Sequence, residues 1–484
     1  MNFKGRTVVA FVLLAMFASS IVTLTIVGAS GASVFPQEIS KPANASASLS
    51  SQEVSKLNTV LGMIQNEYID KIERDKLLDG AISGMLAALG DPHSVYMDKE
   101  AAKSFEETLE SSFSGIGAEV TMKDNRVTIM SPIKGSPAEK AGIHAGDVII
   151  SVNDEKLDGL ALTDAVKKIR GPKGTQAKLQ VIREGSTEPI SITVVRDDID
   201  VETVYAEILP GTRGIGKIEI RQFAQNTGKR FHEELARLES EGMKGLIIDV
   251  RTNPGGILPV VADMVNTLIP KGKTIVQVES RKGAVQKTEA TGAGKPYPIA
   301  VLINKGSASA SEILAAAVKE SGGGLLIGET TFGKGSVQST HEMSDGSNVK
   351  LTIAKWLTPD GNWIDQKGIE PDIAVEQPEF FFVSPLPENP NLKLDANSEE
   401  VRSLQQMLQG IGYNPGREDG YFHKQTEEAV RRFQSKEGLP ATGVVDQATA
   451  KKLQERVIEA IRDPKNDTQL NEAIKQVQKL LGAS

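Results

Sequence analysis

The stretch Pro298–Gln338 contains serine and lysine residues whose types and spacing could support nucleophilic catalysis. The apolar run Ile299–Ile303 predicts a buried strand and residues 310–320 predict a helix, so Ser309 lies where a strand turns into a helix. The first N–H groups of a helix lack internal partners, so a serine there could attack a carbonyl carbon while an N–H stabilises the oxyanion. On this segment alone a simpler interpretation is favoured, because Ser309 and Glu312 have the spacing of a helix capping box.

The general base for such a serine would have to be a residue other than histidine. The five histidines are His93, His144, His232, His341 and His423. None lies in an obvious catalytic setting, which disfavours a Ser/His/Asp triad. Lys334, between two glycines and four residues before Gln338, is a candidate base if burial lowers its pKa from about 10.4 to near 7. The alternative is a solvated loop lysine.

Length and composition exclude several classes of function. The chain has 484 residues, which suggests three or four domains. Its net charge of −8 argues against nucleic acid as a partner, because no basic domain is present to neutralise phosphates. The absence of cysteine excludes disulfides, a thiolate nucleophile and a cysteine-ligated zinc. We expect no metal site and no cofactor.

Several spaced motifs occur in order along the chain. They are Asp-Val-Arg-Thr-Asn-Pro-Gly-Gly at 249–256, Asn-Lys-Gly-Ser-Ala-Ser-Ala-Ser-Glu at 304–312, Gly-Glu-Thr-Thr-Phe-Gly-Lys-Gly-Ser-Val-Gln at 328–338, and the segments 351–361 and 367–372. Together they resemble the carboxyl-terminal processing peptidases, also called tail-specific proteases, over about residues 50–376.

This resemblance implies roles for individual residues. It implies that Ser309 is the nucleophile, that Lys334 is the general base and that Gln338 orients the lysine. It also implies an oxyanion hole formed by the N–H groups of Ala310 and Gly255. Residue chemistry alone leaves three other serines open as the nucleophile, namely Ser307, Ser311 and Ser336.

The N-terminus carries a candidate membrane segment. Lys4 and Arg6 precede an uncharged stretch, whose 23 residues from Thr7 to Ala29 are long enough to span a bilayer. We expect residues 1–32 to be a signal anchor, with the remaining chain outside the cytoplasm. The alternative is a cleaved signal peptide, after which the protein is secreted.

Residues 33–102 predict a linker followed by two amphipathic helices. Apolar residues recur at helical spacing in 54–68 and again in 77–89. Helices this small cannot bury their apolar faces alone, so they must pack on the core or on a second copy of the chain. The resemblance implies a homodimer. His93 follows these helices and is interpreted as structural.

Residues 103–197 resemble a PDZ domain, on the evidence of the segments 113–120 and 135–150. The predicted peptide-binding residues are Gly115, Ile116, Gly117 and Ala118. The two glycines would let backbone N–H groups turn toward a terminal carboxylate while the peptide adds as a strand. Arg170 could relay peptide binding to the core, or it could be a solvated cation at a helix end.

The predicted fold class is an α/β multidomain protein. Alternating strands and helices predict an α/β protease core at 198–385, with the Gly-Gly turn and Ser309 at the C-terminal edge of its sheet. A linker is predicted at 386–396. Residues 397–456 resemble the small three-helix peptidoglycan-binding domain, with a helical packing or dimerisation unit as the alternative, and 457–484 predict a C-terminal helix.

These features predict a membrane-tethered serine endopeptidase with a Ser/Lys(/Gln) apparatus. Its substrates would be proteins or peptides with free C-termini, and its other partners peptidoglycan and the membrane. The architecture is similar to the processing proteases of spore-forming Gram-positive bacteria that cleave regulatory proteins during sporulation. The alternative is an inactive scaffold that binds partners or wall while Ser309 caps a helix. The presence of Lys334 and Gln338 argues against it.

Overall fold

The computed structural model describes residues 23–24, 48–123, 126–183, 186, 188–387 and 389–483. The predicted membrane segment, residues 7–29, lies outside this part of the chain except for a two-residue strand, β1 (Thr23–Leu24). Among the described residues, no helix has the length and apolar character needed to cross a membrane.

The N-terminal region begins with two helices, α1 (Ser51–Glu67) and α2 (Arg74–Ala87), and neither has a buried residue. Ser50 and Glu53 form the capping box that begins α1. A loop at 88–94 leads to strand β2 (Val95–Met97) and to helix α3 (Lys99–Glu110). Several apolar residues of α1 and α2 are therefore left exposed by the described part of the same chain.

A mainly antiparallel sheet forms the second domain. Its strands are β4 (Ala118–Lys123), β5 (Arg126–Pro132), β6 (Val148–Val152), β7 (Glu155–Lys156), β8 (Gln176–Ile182) and β9 (Ile190–Val195). Strands β3 (Ser112–Gly115) and β10 (Asp197–Asp200) pair where the chain enters and leaves it. Helices α4 (Pro137–Lys140) and α5 (Leu162–Ile169) complete the domain. Strand β4 lies at one edge of the sheet, with α5 against it.

The core is built on a second, mostly parallel sheet. Its strands, in spatial order, are β11 (Val204–Ile208), β12 (Ile215–Ile220), β13 (Gly245–Asp249), β16 (Ile299–Ile303), β17 (Leu325–Gly328) and β20 (Ile373–Ala374). Only β11 runs antiparallel to its neighbour. Every residue of β13 and β16 is buried, as expected for parallel strands covered on both faces.

Helices and a third sheet cover one face of the parallel sheet. The helices are α6 (Thr227–Ser240), α7 (Leu258–Leu268) and α8 (Ala310–Ala316), which continues into a π-helical turn at Ala317–Ser321. The third sheet contains β14 (Thr274–Ser280), β15 (Val285–Glu289), β18 (Ser336–Glu342) and β19 (Asn348–Leu357), with β2 paired to β19. The N-terminal region is thus joined to the core through β2.

A three-helix domain follows, formed by α9 (Glu399–Gly410), α10 (Lys424–Lys436) and α11 (Gln447–Arg462). Its apolar core includes Phe380 and Leu386, and Leu392 pairs with Val445. The segment predicted as a linker at 386–396 therefore packs as part of this domain, because its apolar side chains fill the domain's core.

The last helix, α12 (Thr468–Ala483), belongs to the core rather than to the C-terminal domain. Its buried residues Leu470, Ala473 and Val477 pack on Ile247 and Leu302 of the parallel sheet. The core was predicted to end at residue 385, and this packing adds the helix Thr468–Ala483 to it. A parallel sheet has two apolar faces, and α12 supplies the cover for the second.

Candidate active site

The loops that form the candidate site follow three neighbouring parallel strands. β13 leads into residues 250–257, β16 into 304–309 and β17 into 329–335. Because the three strands run in the same direction, these loops leave the same edge of the sheet. Gly255 and Ser309 are in contact at this edge.

Ser309 is fully buried and its backbone is strained. Its φ of 55° and ψ of −107° lie outside the region that side-chain-bearing residues ordinarily occupy. Its N–H donates to Glu312 Oε2 over 2.7 Å, and Ser309 and Glu312 have the arrangement of the predicted capping box. The hydroxyl Oγ of Ser309, however, is buried and has no hydrogen-bond partner among the described residues.

The hydroxyls of the three alternative serines are all hydrogen-bonded. Ser307 Oγ donates to the Val250 carbonyl over 2.8 Å, and Ser311 Oγ donates to the Asn253 carbonyl over 2.9 Å. Ser336 Oγ accepts a hydrogen bond from Gln338 Nε2 over 2.9 Å. The hydrogen bonds of Ser307 and Ser311 therefore join the segment around Ser309 to the loop that contains the Gly-Gly turn, and both hydroxyls already act as donors.

Lys334 is buried, and this burial sets its protonation. Desolvation, followed by the nearby charge of Lys350, lowers the pKa of Lys334 to about 7. Its Nζ donates to Gln338 Oε1 over 2.6 Å. In this structure Lys334 is therefore bonded to the predicted orienting residue rather than to Ser309.

Glu312 ties the loop of the serine to the loop of the lysine. Besides the Ser309 N–H, its carboxylate accepts from Thr331 Oγ1, Gly333 N and Lys334 N over 2.6, 2.7 and 2.9 Å. Burial raises the pKa of Glu312, although these hydrogen bonds oppose the rise. The sequence spacing indicated only a helix cap at this residue.

The predicted oxyanion hole is partly assembled. Gly255 has a φ of 104°, and a Cβ on it would lie 2.7 Å from Ala308 O and 3.0 Å from Ala310 N, so only glycine fits. Its N–H donates to Asn253 Oδ1 over 2.8 Å and is therefore occupied. The N–H of Ala310, at the start of α8, has no acceptor among the described residues.

Family comparisons identify the chain. Residues 214–375 match peptidase family S41, residues 114–194 the PDZ domain and residues 397–453 a peptidoglycan-binding domain family, while residues 21–101 match the activating protease CtpB N-terminal domain. The chain is 46% identical over 445 residues to the carboxy-terminal processing protease CtpB of Bacillus subtilis, which covers 91% of this chain and 93% of that protein. It belongs to peptidase family S41.

This S41 protease has other relatives of the same kind. It is 43% identical to the carboxy-terminal processing protease CtpA of Bacillus subtilis over 97% of both chains. The solved photosystem II D1 C-terminal processing protease is 29% identical, over 68% of this chain and 94% of that one, with a TM-score of 0.40. The sequence-based prediction of a serine-type C-terminal processing protease with a PDZ domain is confirmed at this level.

The S41 site also contains a loop that sequence analysis did not assign to it. Residues 90–93 line a cavity of about 510 Å³ together with Phe332, Gly333, Ser336 and Trp363. Burial and the nearby Lys334 charge lower the pKa of His93 to about 4, so its ring is neutral at physiological pH. The loop lies more than 200 residues from Ser309 in sequence, and only its Asp-Pro-His-Ser motif could have indicated a role in the site.

The predicted peptide-binding residues lie at the start of the PDZ sheet of the S41 protease. Gly117 has a φ of 76°, and a Cβ there would lie 2.4 Å from Ser136 Cβ. Gly115, by contrast, has no positive φ and pairs, as the last residue of β3, with Asp197 of β10. Ile116 is buried in the PDZ core, and Ala118 begins the edge strand β4.

Arg170, the predicted relay, follows helix α5 of the PDZ domain. It forms an ion pair with Glu107 of α3 over 2.8 Å and lies 4.6 Å above the ring of Phe113. It is therefore not a cation surrounded only by solvent. It joins the PDZ domain to the helix that leads into it.

Proposed function

We propose that Ser309 and Lys334 perform the peptide hydrolysis of this S41 protease. Neutral Lys334 would take the proton from Ser309 Oγ as that oxygen attacks the carbonyl carbon of the scissile bond. The resulting ammonium would return the proton to the amine leaving group, and water would then hydrolyse the acyl-enzyme. Lys334 Nζ must approach Ser309 Oγ for the first step while it keeps Gln338 as its second partner.

One observation carries this assignment. Among the four candidate serines, only Ser309 has a hydroxyl without a hydrogen-bond partner in the described chain. Burying a hydroxyl without a partner costs free energy. Here the hydroxyl belongs to a residue that Glu312 links to Lys334, a buried base with a pKa of about 7, and this combination is typical of a site kept for chemistry.

The oxyanion would be stabilised by backbone N–H groups. Ala310 offers its N–H without rearrangement, and we assign the second donor to Gly255. Gly255 can contribute only after its hydrogen bond to Asn253 Oδ1 opens. A substrate carbonyl oxygen that replaces this amide oxygen would leave the number of hydrogen bonds unchanged.

Substrate recognition is assigned to the PDZ domain. An extended C-terminal peptide would add as a strand to the edge of β4, with its carboxylate near Gly115, Ile116, Gly117 and Ala118. Support comes from the edge position of β4 beside α5. Arg170 would transmit peptide binding to the core, since it bonds to Glu107 and α3 contacts the core at Gln222.

The remaining assignments concern the setting of the protease. We assign residues 1–32 to a signal anchor, or to a cleaved signal peptide, and the catalytic domain to the outside of the cytoplasm. The substrates would be regulatory proteins, cleaved in sporulation signalling, and the C-terminal domain would bind peptidoglycan. Exposed apolar residues on α1 and α2 support a homodimer, because a second copy would cover them; they include Val54, Leu57, Val60, Met63 and Met85.

The test compares the full chain with Ser309→Ala and Lys334→Ala on an unfolded protein and on peptides with apolar C-termini. Loss of cleavage in both variants, with the native fold retained, would establish the assignment. A Lys334→Ala variant with wild-type activity would overturn the role of the lysine. If the wild type is inert toward every substrate but still binds C-terminal peptides, the scaffold alternative takes its place.

A further inference from the structure

A chain of hydrogen bonds leads from the N-terminal loop to Lys334. Gln338, which accepts from Lys334, donates from Nε2 to Thr352 Oγ1 over 3.0 Å. The backbone N–H of Thr352 donates to Ser94 Oγ over 3.0 Å, and Ser94 Oγ donates to Asp91 Oδ2 over 2.6 Å. Within this series of hydrogen bonds, Thr352 contacts both Gln338 and Ser94 of the N-terminal loop.

The local backbone is arranged to make these contacts. The pairing of β18 with β19 shifts register between Val337 and Gln338, so that Gln338 lies opposite Thr352. A register shift of this kind redirects side chains and frees backbone groups from the ladder. The Thr352 N–H bonds to Ser94 on the other side of β19, just beyond the last pair of β19 with β2, and this pairing holds the loop in place.

The direction of the hydrogen bonds decides which end of the Gln338 amide faces the lysine. The Thr352 hydroxyl accepts a hydrogen bond from Gln338 Nε2 over 3.0 Å, so the nitrogen end of the amide is directed toward β19. Ser336 Oγ accepts from the same nitrogen. The amide oxygen is thereby turned toward Lys334 Nζ.

This orientation matters for a neutral lysine. A neutral amine has one lone pair, and it must point at the serine proton for the lysine to act as a base. With Oε1 facing Nζ, the lysine donates to Gln338 and keeps its lone pair free. If the amide were reversed, its N–H would compete for that lone pair.

We propose that Thr352 is a positioning residue for the base and that the loop Asp91–Ser94 holds Thr352 in the required orientation. The proposal rests on the proposed role of Lys334. It makes the N-terminal region part of the catalytic apparatus through Ser94, in addition to any role in assembly.

The experiment uses the full chain with Thr352→Val, Thr352→Ser and Ser94→Ala. Thr352→Val keeps the shape and removes the hydroxyl, whereas Thr352→Ser keeps the hydroxyl. Thr340→Val is the matched control, because Thr340 is two residues after Gln338 on β18 and its hydroxyl has no hydrogen bond in the described chain. The measurements are kcat and KM on an unfolded protein substrate and the labelling rate of the reactive serine by a fluorophosphonate.

We expect Thr352→Val to lower kcat and the labelling rate by about 10- to 100-fold with KM nearly unchanged, since only proton transfer is affected. Thr352→Ser should restore most of the loss, Ser94→Ala should lower kcat to a smaller extent, and Thr340→Val should behave as wild type. Wild-type kcat in Thr352→Val, or an equal loss in Thr352→Ser, would overturn the proposal.

Three further results keep the outcome clear. If Thr352→Val does not fold, Ser94→Ala decides, and an unchanged kcat in that variant would overturn the proposal. If Lys334→Ala retains activity, the assignment of the base itself has failed. If Lys334→Ala is inactive while Thr352→Val is fully active, only the positioning role has failed.

Discussion

At the scale of single residues, the environment of Lys334 determines the chemistry. The side chain is almost completely buried and has one hydrogen bond from Nζ, to Gln338. Desolvation penalises the ammonium form and lowers the pKa to about 7, so a substantial fraction of the lysine is neutral at physiological pH. Two measurable consequences follow from this value.

The first is the pH dependence of activity. Because the neutral lysine is the proposed base, kcat/KM should rise with pH through an apparent pKa near 7 and be lost as the pH falls below it. Lys350→Met should move this rise to higher pH, because the charge of Lys350 opposes protonation of Lys334. Initial rates between pH 5.5 and 9 on a substrate without titrating groups check both statements. A flat profile would contradict the role of the lysine.

The second is a cost in stability. The folded-state pKa of Lys334 is lower than the unfolded value, so between about pH 7 and 10.4 the unfolded chain binds a proton that the folded chain does not. This cost is largest below pH 7 and disappears as the pH rises toward 10.4. Lys334→Met should therefore be inactive but more stable at pH 7, by at most about 4 kcal/mol at roughly 1.4 kcal/mol per pKa unit. Denaturant unfolding at pH 7 and 9.5 should show the gain shrinking with pH.

At the scale of elements, the start of helix α8 and the loop after strand β17 are joined through one carboxylate. Glu312 accepts four hydrogen bonds, from Ser309 on one side and from Thr331, Gly333 and Lys334 on the other. These bonds hold the strained backbone of Ser309 in place, since a backbone of this kind persists only when its surroundings over-determine it. The nucleophile and the base are thus aligned by the same group.

Glu312→Gln tests this connection. The amide keeps the size of the side chain but turns one acceptor into a donor, which leaves buried N–H groups without partners. We expect a loss of about 2 to 4 kcal/mol in unfolding free energy and a fall of at least roughly 100-fold in kcat. Glu320→Gln is the control, because Glu320 lies in the π-helical turn that extends the same helix and its carboxylate accepts a hydrogen bond from the Asp360 N–H. A Glu312→Gln variant with wild-type kcat would contradict the connection.

At the scale of the whole molecule, the chain returns from its C-terminal domain to complete the protease core. Arg251, two residues after β13, pairs with Asp249 over 2.6 Å and with Asp467 over 2.8 Å, directly before α12 begins. Burial and these carboxylates act on its guanidinium in opposite directions, and the net effect is a raised pKa. Arg251 precedes the Gly-Gly turn by only a few residues, so its ion pair with Asp467 connects this turn to the C-terminal segment of the chain.

A charge on the inner face of α12 should destabilise the core. Val477 is fully buried and packs against Gly245 at the start of β13. Val477→Asp should lower the unfolding free energy by more than about 3 kcal/mol, because it buries a carboxylate without a partner. Lys479→Asp, on the exposed side of the same helix, should change it little. Thermal unfolding with limited proteolysis distinguishes them, and equal stability of the two variants would show that α12 is not part of the core.

The sequence by itself determined those features that local patterns encode. The strand Ile299–Ile303 occurs where its apolar run predicted it, because a strand buried on both faces needs an uninterrupted apolar run. The residue types of Ser309 and Lys334, together with the absence of cysteine, limited the chemistry that the chain can perform.

Only the tertiary structure decided how these pieces act together. Strand β18 is polar and carries no periodic signal, so the position of Gln338 opposite Thr352 could not be read from the chain. Ser94 bonds to Thr352 of β19, 258 residues away in the sequence, and α12 packs on the core from beyond a whole domain. Hydrogen bonds and packing of this range depend on which elements meet in space, whereas local periodicity specifies only the elements themselves.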